Sequence, residues 1–233
     1  MRVGVDIDGV LINSAAMWYE AGMKFAKENN IIVNPNPNED KLAFRSIALA
    51  EQEGFLVGAK SLGAYGGYET FINKLTEYHA DNKNIKYHVA CKANGQGAKR
   101  PDGAVEVAEG RYTYHNADCF EIAVPEKIGS AQAIYYDCAA MGKCVKIIRD
   151  EKIEKPIVYV MACRIGPFFS RYVRAIKKLG GRVILNPDGH EWKRAKWNRI
   201  IRAYWKKSEE LMVKKSDLII CDSVNIEKYI KEI

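Results

Sequence analysis

Short apolar runs alternate with longer segments of helical periodicity along most of this chain. The runs lie at residues 2–7, 55–59, 85–93, 112–124, 156–164, 182–187 and 217–223, and the helical patterns lie at 14–29, 69–81, 130–150, 168–179, 190–215 and 224–232. Because the runs are continuously apolar, both faces of each predicted strand should be covered. The alternation predicts an α/β protein with a doubly wound, Rossmann-like parallel sheet.

One segment near the beginning interrupts this alternation. The sequence NPNPNED, residues 34–40, places two prolines among asparagines, a composition typical of a turn or linker. A weakly patterned stretch follows it. We therefore expect three parts: a strand–helix fragment at 1–39, a linker at 40–52 and a Rossmann-like domain at 53–233.

Composition and charge narrow the class of protein. The chain has 233 residues, of which 48% are hydrophobic and 28% charged, as in a globular protein. A net charge of +7 favours an anionic partner, namely nucleic acid, a membrane surface or a phosphorylated ligand, although a basic solvated surface would give the same value. No apolar run of about 18 residues is present, so no transmembrane helix is expected.

The six cysteines indicate the cellular compartment of the protein. They are scattered, without a C-x-x-C pair or zinc-ligand spacing, and most lie in apolar runs. This pattern predicts reduced core residues of a cytoplasmic protein. The apolar run at the N-terminus is interrupted by Asp6 and Asp8, so no signal peptide is expected there.

The sequence DIDGV, at the end of the first predicted strand, supplies one candidate site. Over about residues 1–36 the chain resembles the opening of haloacid-dehalogenase-type phosphatases. That resemblance implies that Asp6 attacks phosphorus, that Asp8 protonates the leaving group and that a magnesium ion neutralises the phosphate. The Ser/Thr, Lys and acidic pair that such a site also needs do not follow in the required order. A magnesium-dependent phosphatase is therefore the second hypothesis.

A glycine-rich loop supplies another candidate site. Gly63, Gly66 and Gly67 lie between a predicted strand and a helix that begins near Tyr68 or Glu69. Free N–H groups at such a helix start favour an anion. The spacing matches neither a dinucleotide fingerprint nor a Walker loop, so a tight strand-to-helix turn explains it equally well.

A polar cluster follows the strand RVIL. Asp188, His190 and Glu191 come directly after it and should lie at the carboxyl edge of the sheet, where ligands bind in such folds. An imidazole and two carboxylates can perform acid–base work or bind hydroxyl groups. Alternatively, Asp188 caps the next helix and Glu191 stabilises its first turn.

The predicted helix at 190–215 is both basic and aromatic. It carries Trp192, Trp197, Tyr204 and Trp205 among nine Lys and Arg residues. This combination suits the surface of an anionic membrane. The alternative is that its apolar face packs on the sheet and its cations are solvated. No nucleic-acid recognition motif accompanies the charge, so nucleic acid is not an expected partner.

Seven ordered segments give the chain a specific resemblance. They are AYGGYETF, ACKANGQG, YHNADCFEI, IGSAQAIYYD, ACRIGPFF, LNPDGHEWKRAKW and SDLIICDSVNIEKYI. From about residue 53 to its end, the chain resembles the N-terminal half of capsule-locus rhamnosyltransferases, which belong to glycosyltransferase family four and have the GT-B fold. The resemblance implies sugar transfer, such as rhamnose from dTDP-rhamnose, to a lipid-linked saccharide in the synthesis of surface polysaccharide.

The resemblance also implies roles for individual residues. Gly66, Gly67 and Glu69, with Gly63 and Arg164, would lie near the diphosphate of the nucleotide-sugar donor. On the acceptor side, the catalytic candidates are His190, Asp188 and Glu191. No metal or other cofactor is expected for this chemistry.

The chain departs from the GT-B pattern in one respect. It ends at Ile233, where the second Rossmann domain, which holds the donor, would begin. We therefore expect the missing C-terminal half to be a partner, and we expect no transfer by this chain alone. The basic helix adds the expectation of a cytoplasmic protein with peripheral contact to the inner face of the membrane. A non-catalytic, membrane-attached binding module is the third hypothesis.

Overall fold

The structure is a computed structural model of the chain. It describes residues 2–4, 52–63, 66–188, 190–195 and 197–233. Asp6, Asp8, the predicted helix at 14–29 and nearly all of the predicted linker therefore lie outside the described residues. The predicted division into three parts stays a prediction.

From residue 52 onward strands and helices alternate, except that the four strands between residues 85 and 122 follow one another without a helix between them. The strands are β1 (Arg2–Gly4), β2 (Gln52–Val57), β3 (Ile85–Lys92), β4 (Val105–Ala108), β5 (Arg111–Tyr114), β6 (Ala117–Ile122), β7 (Ile157–Met161), β8 (Arg182–Asn186) and β9 (Leu218–Cys221). The α-helices are α1 (Gly67–Tyr78), α2 (Gln132–Asp150), α3 (Gly166–Lys178), α4 (Arg199–Lys215) and α5 (Val224–Lys231), and short 3-10 helices cover Glu126–Ala131 and Glu191–Lys193.

All described strands form one sheet, in the order β1-β9-β8-β7-β2-β3-β6-β5-β4. The strands from β1 to β6 in this order are parallel. From β2 the chain first adds β3 on one side and later adds β7 on the other, so the order reverses between β2 and β7. In an open α/β sheet, such a reversal leaves a ligand crevice at the carboxyl ends of the two strands.

Helices cover both faces of the sheet, which confirms the predicted doubly wound, Rossmann-like α/β fold. One core cluster joins Phe55 and Val158 to side chains of α2, α3, α4 and α5. A second cluster, on the opposite face, joins Leu56 and Tyr159 to Ile72 and Leu75 of α1. Successive residues of one strand thus enter different cores, which explains why the strands read as continuous apolar runs.

The predicted strand at 112–124 is wrong as a single element. His115 and Asn116 have positive φ angles of 46° and 59°, and the chain turns back there. The turn pairs β5 with β6 in antiparallel fashion, and β4 adds a further antiparallel strand at this edge. Because Tyr112 on one arm and Cys119 on the other are both buried, hydropathy alone did not reveal the turn between them.

The predicted helix at 190–215 begins later than expected. His190 has a φ of 54°, which is incompatible with a right-handed helix, and only a 3-10 turn follows it. The α-helix starts after Asn198, whose side-chain oxygen accepts a hydrogen bond from the backbone N–H of Ile201 at 2.9 Å. This is an N-cap, and it fixes where α4 begins.

All six cysteines are free thiols and five of them are buried, as the sequence predicts. Within the described ranges, no helix is both long enough and apolar enough to cross a membrane.

Candidate active site

Most of the predicted site residues lie around the carboxyl ends of β2 and β7, where the strand order predicts a ligand crevice. Gly58 and Ala59 follow β2, and Arg164 follows β7 three residues after Met161. The Arg164 guanidinium donates to the Gly58 carbonyl at 3.0 Å and so ties the two strand ends together. The Tyr136 hydroxyl reaches the Ala59 carbonyl at 2.6 Å from α2.

Arg164 is held in place by a buried carboxylate. Its Nη1 lies 3.1 Å from Asp137 Oδ2, and the Asp137 side chain has 0% exposure whereas that of Arg164 has 24%. Burial raises the pKa of Asp137, and the guanidinium partly opposes this rise. Burial also disfavours the charge of Arg164, but Asp137, together with Tyr68 and Asp188, raises the pKa of Arg164. The site therefore contains one fixed cation with a partly exposed side chain.

The glycine loop leads directly into α1. Gly66 is the N-cap residue of α1, Gly67 is its first residue and Gly63 has a φ of 153°. A Cβ atom on Gly66 would lie 2.8 Å from Glu69 Oε2, so a larger residue there would require that carboxylate to shift. Glu69 is buried and accepts the backbone N–H of Lys60 at 2.7 Å. Glu69 thus ties the glycine loop to the end of β2.

Tyr68, the second residue of α1, is a site residue that sequence reasoning missed. Its hydroxyl is buried and, among the residues that the structure describes, has no hydrogen-bond partner. Burial, followed by the charge of Asp188, raises the pKa of Tyr68, while the charge of Arg164 opposes the rise. The hydroxyl therefore keeps its proton and can donate a hydrogen bond to a ligand.

Two carboxylates form the opposite wall of the crevice. Asp188 follows β8 with a φ of 58°, and its backbone N–H donates to Asn186 Oδ1 at 3.0 Å. Asp222 follows β9 and accepts from Asn186 Nδ2 at 2.6 Å. Burial raises the pKa of Asp222 to about 6, the Asn186 amide opposes this rise and the charge of Asp188 adds to it. Asp222 thus titrates near neutral pH beside the predicted Asp188.

His190 lies at the rim of this wall rather than in a core cluster. Its backbone N–H donates to Glu209 Oε2 of α4 at 3.2 Å. Its ring stacks on Tyr229 of α5 with centroids 3.9 Å apart. Burial and the nearby charge of Lys193 lower the pKa of His190, so its imidazole is neutral at pH 7. A neutral imidazole can accept a proton or a hydrogen bond.

Glu191 makes local contacts. Its Oε1 accepts from the indole N–H of Trp197 at 2.9 Å, and its Oε2 pairs with Arg194 at 2.8 Å. Both partners belong to the segment that leads into α4. These contacts account for Glu191 structurally, and its predicted catalytic role stays a prediction.

The structure thus places two kinds of group around one crevice. Tyr68 and Arg164 lie on the side of the glycine loop, and Asp188 and Asp222 lie opposite, close enough for their charges to act on the Tyr68 hydroxyl. A hydroxyl donor, a guanidinium and carboxylate acceptors can bind a polyhydroxylated ligand. In the described ranges, no group of three or more His, Cys, Asp or Glu side chains is placed to hold a metal ion.

The fold and this crevice define an α/β protein of the Rossmann type. The model of the family described as "Domain of unknown function (DUF1972)" matches residues 51–233, and the chain belongs to that family. No curated protein matches the sequence.

Three solved structures illustrate its structural similarity to other proteins. One, from E. coli, is described as trehalose-6-phosphate bound with UDP-2-fluoro glucose (TM-score 0.45, 10% identity, 78% of this chain and 42% of that chain). The others are α,α-trehalose 6-phosphate synthase from Burkholderia multivorans (TM-score 0.40, 9% identity, 73% and 39%) and α,α-trehalose-phosphate synthase (UDP-forming) from Burkholderia vietnamiensis (TM-score 0.41, 10% identity, 78% and 42%). The matched part of the chain thus spans about two fifths of each of these structures.

Proposed function

We propose that residues 53–233 form the acceptor-side domain of a glycosyltransferase with the GT-B fold. The observation that carries this proposal is the crevice, which combines a glycine-rich helix start with a phenol and two carboxylates. A helix start binds the phosphates of a nucleotide sugar, and the phenol and carboxylates bind sugar hydroxyls. The resemblance of seven sequence segments to capsule-locus rhamnosyltransferases supports transfer of rhamnose from dTDP-rhamnose to a lipid-linked saccharide.

The described side chains suggest separate roles in sugar transfer. Sugar transfer breaks the bond between the anomeric carbon and the donor diphosphate and forms a bond from that carbon to an acceptor hydroxyl, whose proton passes to the departing diphosphate. Asp188 and the neutral His190 accept hydrogen bonds from the acceptor hydroxyl and orient it. Arg164 and the N–H groups at the start of α1, beyond Gly66 and Gly67, face the negative charge that develops on the diphosphate.

Asp188→Asn is the sharpest test of this site. Asn tolerates a φ of 58° as well as Asp does, so the melting temperature should stay unchanged. Loss of the carboxylate should lower transfer at least about 100-fold, and His190→Ala at least about tenfold. The measurement is transfer of radiolabelled rhamnose from dTDP-rhamnose to a lipid-linked saccharide, by the chain joined to a donor-binding second domain.

Lys146→Ala is the matched control, because this side chain is 74% exposed on α2 and lies outside the site. Its transfer rate should equal that of the wild type. Full transfer by Asp188→Asn would contradict a role of the Asp188 carboxylate in transfer. Transfer from other nucleotide sugars but not from dTDP-rhamnose would support a glycosyltransferase and contradict rhamnose as the transferred sugar.

We also propose that α4 contacts an anionic membrane, where a lipid-linked acceptor would lie. The basic surface consists of Arg194, Arg199, Ile200, Arg202, Lys206 and Lys207, all of which are exposed, with Ile200 at 81%. Trp205 and Met212 point the other way into the protein core. An exposed aliphatic side chain among five cations suits insertion between anionic headgroups.

Ile200→Asp should reduce membrane binding at least about tenfold, because it removes the burial of one aliphatic side chain, worth about 1.5–3 kcal/mol, and adds a repelled charge. The measurement is co-flotation with phosphatidylglycerol vesicles. Val105→Asp is the control, since Val105 is 62% exposed on β4 at the far edge of the sheet. Equal binding of both variants, or equal binding to neutral phosphatidylcholine vesicles, would contradict the proposed membrane contact.

A further inference from the structure

Lys92, the last residue of β3, is a buried cation at the same edge of the sheet as the crevice. Its relative exposure is 8%. Its Nζ donates to the backbone carbonyl of Gln96 at 3.1 Å. An ammonium group has three donors, and in the ranges that the structure describes no carboxylate pairs with this one. A buried cation without a counter-charge is unfavourable, which suggests that a ligand supplies the counter-charge.

A second lysine lies beside it. The backbone N–H of Lys92 donates to the Lys60 carbonyl at 2.7 Å, which joins the ends of β3 and β2. Burial, followed by the positive charge of Lys60, lowers the pKa of Lys92. Because Lys60 is in turn bound through its own N–H to Glu69 of α1, the two lysines lie next to the glycine loop.

The loop after Lys92 is anchored. Asn94 donates from Nδ2 to the Val124 carbonyl at 3.0 Å and accepts the Val124 N–H at 2.8 Å. These two bonds clamp the beginning of the loop to the end of β6. The carbonyl of Gln96 is therefore held over the Lys92 ammonium, and the cation is oriented before any ligand arrives.

Charge divides the carboxyl edge of the sheet into two parts. The side of β2 and β3 carries the cations Lys60 and Lys92 with the carboxylate of Glu69, whereas the side of β8 and β9 carries Asp188 and Asp222. An anion is attracted to the first part and repelled from the second. Neutral sugar hydroxyls, in contrast, find hydrogen-bond acceptors in the second part.

We propose that Lys92, with Lys60 beside it, binds a phosphoryl group of the acceptor and thereby orients the acceptor saccharide toward Asp188. This proposal rests on the proposed function, since it assigns the acceptor a phosphorylated end. The substrate class is a saccharide linked to a phosphate or diphosphate. Lys92 is a positioning residue, because it does not touch the reacting hydroxyl.

Inorganic pyrophosphate is the probe, and calorimetric titration of the 233-residue chain is the measurement. Lys92→Met keeps the aliphatic stem, removes the charge and should weaken pyrophosphate binding at least about tenfold. It should not lower the melting temperature, because a buried charge is removed. Lys60→Met, the second variant, should weaken binding about threefold or more. Lys86→Met, at an exposed position on the same strand, should leave the affinity within about twofold.

Unchanged affinity in Lys92→Met, or no saturable binding by the wild type, would overturn the proposal. A titration in the presence of dTDP distinguishes the two sources of a phosphoryl group. Pyrophosphate affinity that is unchanged in excess dTDP supports an acceptor phosphate, whereas displacement of pyrophosphate by dTDP would assign the site to the donor. Because these titrations require no sugar transfer, an inactive transfer assay and a failed phosphoryl site give separate results.

Discussion

Gly166→Ala should lower the free energy of unfolding by roughly 3 kcal/mol or more, because a Cβ atom at this position meets backbone that cannot move aside. The new atom would lie 2.4 Å from both Cα and the carbonyl oxygen of Ser208. Gly166 begins α3 and Ser208 lies in α4, so the two helices must separate. Separation also breaks the bond from Gly166 N–H to Ser208 Oγ at 2.7 Å and that from Ser208 Oγ to the Cys163 carbonyl at 2.7 Å.

Gly142→Ala is the matched control. Gly142 lies in α2, is exposed, and a Cβ atom there meets nothing within 4 Å. This substitution should raise the free energy of unfolding by about 0.5–1 kcal/mol, because alanine restricts the unfolded chain and favours a helix. Urea unfolding of both variants measures the difference. A loss of under about 1 kcal/mol in Gly166→Ala would show that the contact between α3 and α4 is looser than the structure indicates.

Arg164→Met should cost about 3–5 kcal/mol of stability, because it leaves the Asp137 carboxylate buried without a cation. The guanidinium bonds to Asp137 and to the Gly58 carbonyl would both be lost. The pKa of Asp137, already raised by burial, should rise further in the variant. Calorimetric unfolding of the variant and the wild type measures the loss.

The pH dependence of the variant's stability identifies the cause of the loss. In Arg164→Met the folded state favours protonated Asp137, whose folded pKa lies above its unfolded value. The stability that protonation supplies is therefore fully present below the unfolded pKa of about 3.9 and is lost as pH rises through the raised folded pKa. The stability of the variant should be closer to that of the wild type in mildly acidic buffer than at pH 8. A loss that is independent of pH would contradict an uncompensated carboxylate.

Two further variants complete this test. Adding Asp137→Asn to Arg164→Met should restore most of the lost stability, because no buried charge remains. Lys74→Met is the control for removal of an exposed ion pair, since Lys74 and Glu77 are 56% and 49% exposed. That change should leave the stability almost unchanged, because solvent screens an exposed pair. Equal losses of stability in Lys74→Met and Arg164→Met would show that burial does not strengthen the ion pair between Arg164 and Asp137.

The sequence predicted the parallel part of the sheet well. Each of its strands from β2 onward enters two cores, so apolar runs such as those around Phe55 and Val158 stand out from their polar surroundings. Helix bounds were predicted to within two or three residues except at α4. There the polar and aromatic pattern continues without a break through His190, whose positive φ excludes the helix. Periodicity does not report a single backbone angle.

The candidate site was predicted less completely. Asp188 and His190 were predicted as site residues because they follow a strand, and the end of a parallel strand is a known place for ligands; their roles stay predictions. Tyr68 was passed over, because only the folded structure shows that its hydroxyl is buried beside Asp188 without a partner. Asp137 was passed over as well, because it lies within a helix and its partner Arg164 is 27 residues away.

The sequence by itself determined which residues alternate between strand and helix, and hence the fold class, because both signals are local and repeat along the chain. The tertiary structure alone decided which strand ends are neighbours. The strand order places β2, which begins at Gln52, beside β7, which begins at Ile157. The crevice, the Arg164–Asp137 pair and the division between the lysine and carboxylate sides all follow from that pairing. Such contacts join residues far apart in sequence, so no local pattern encodes them.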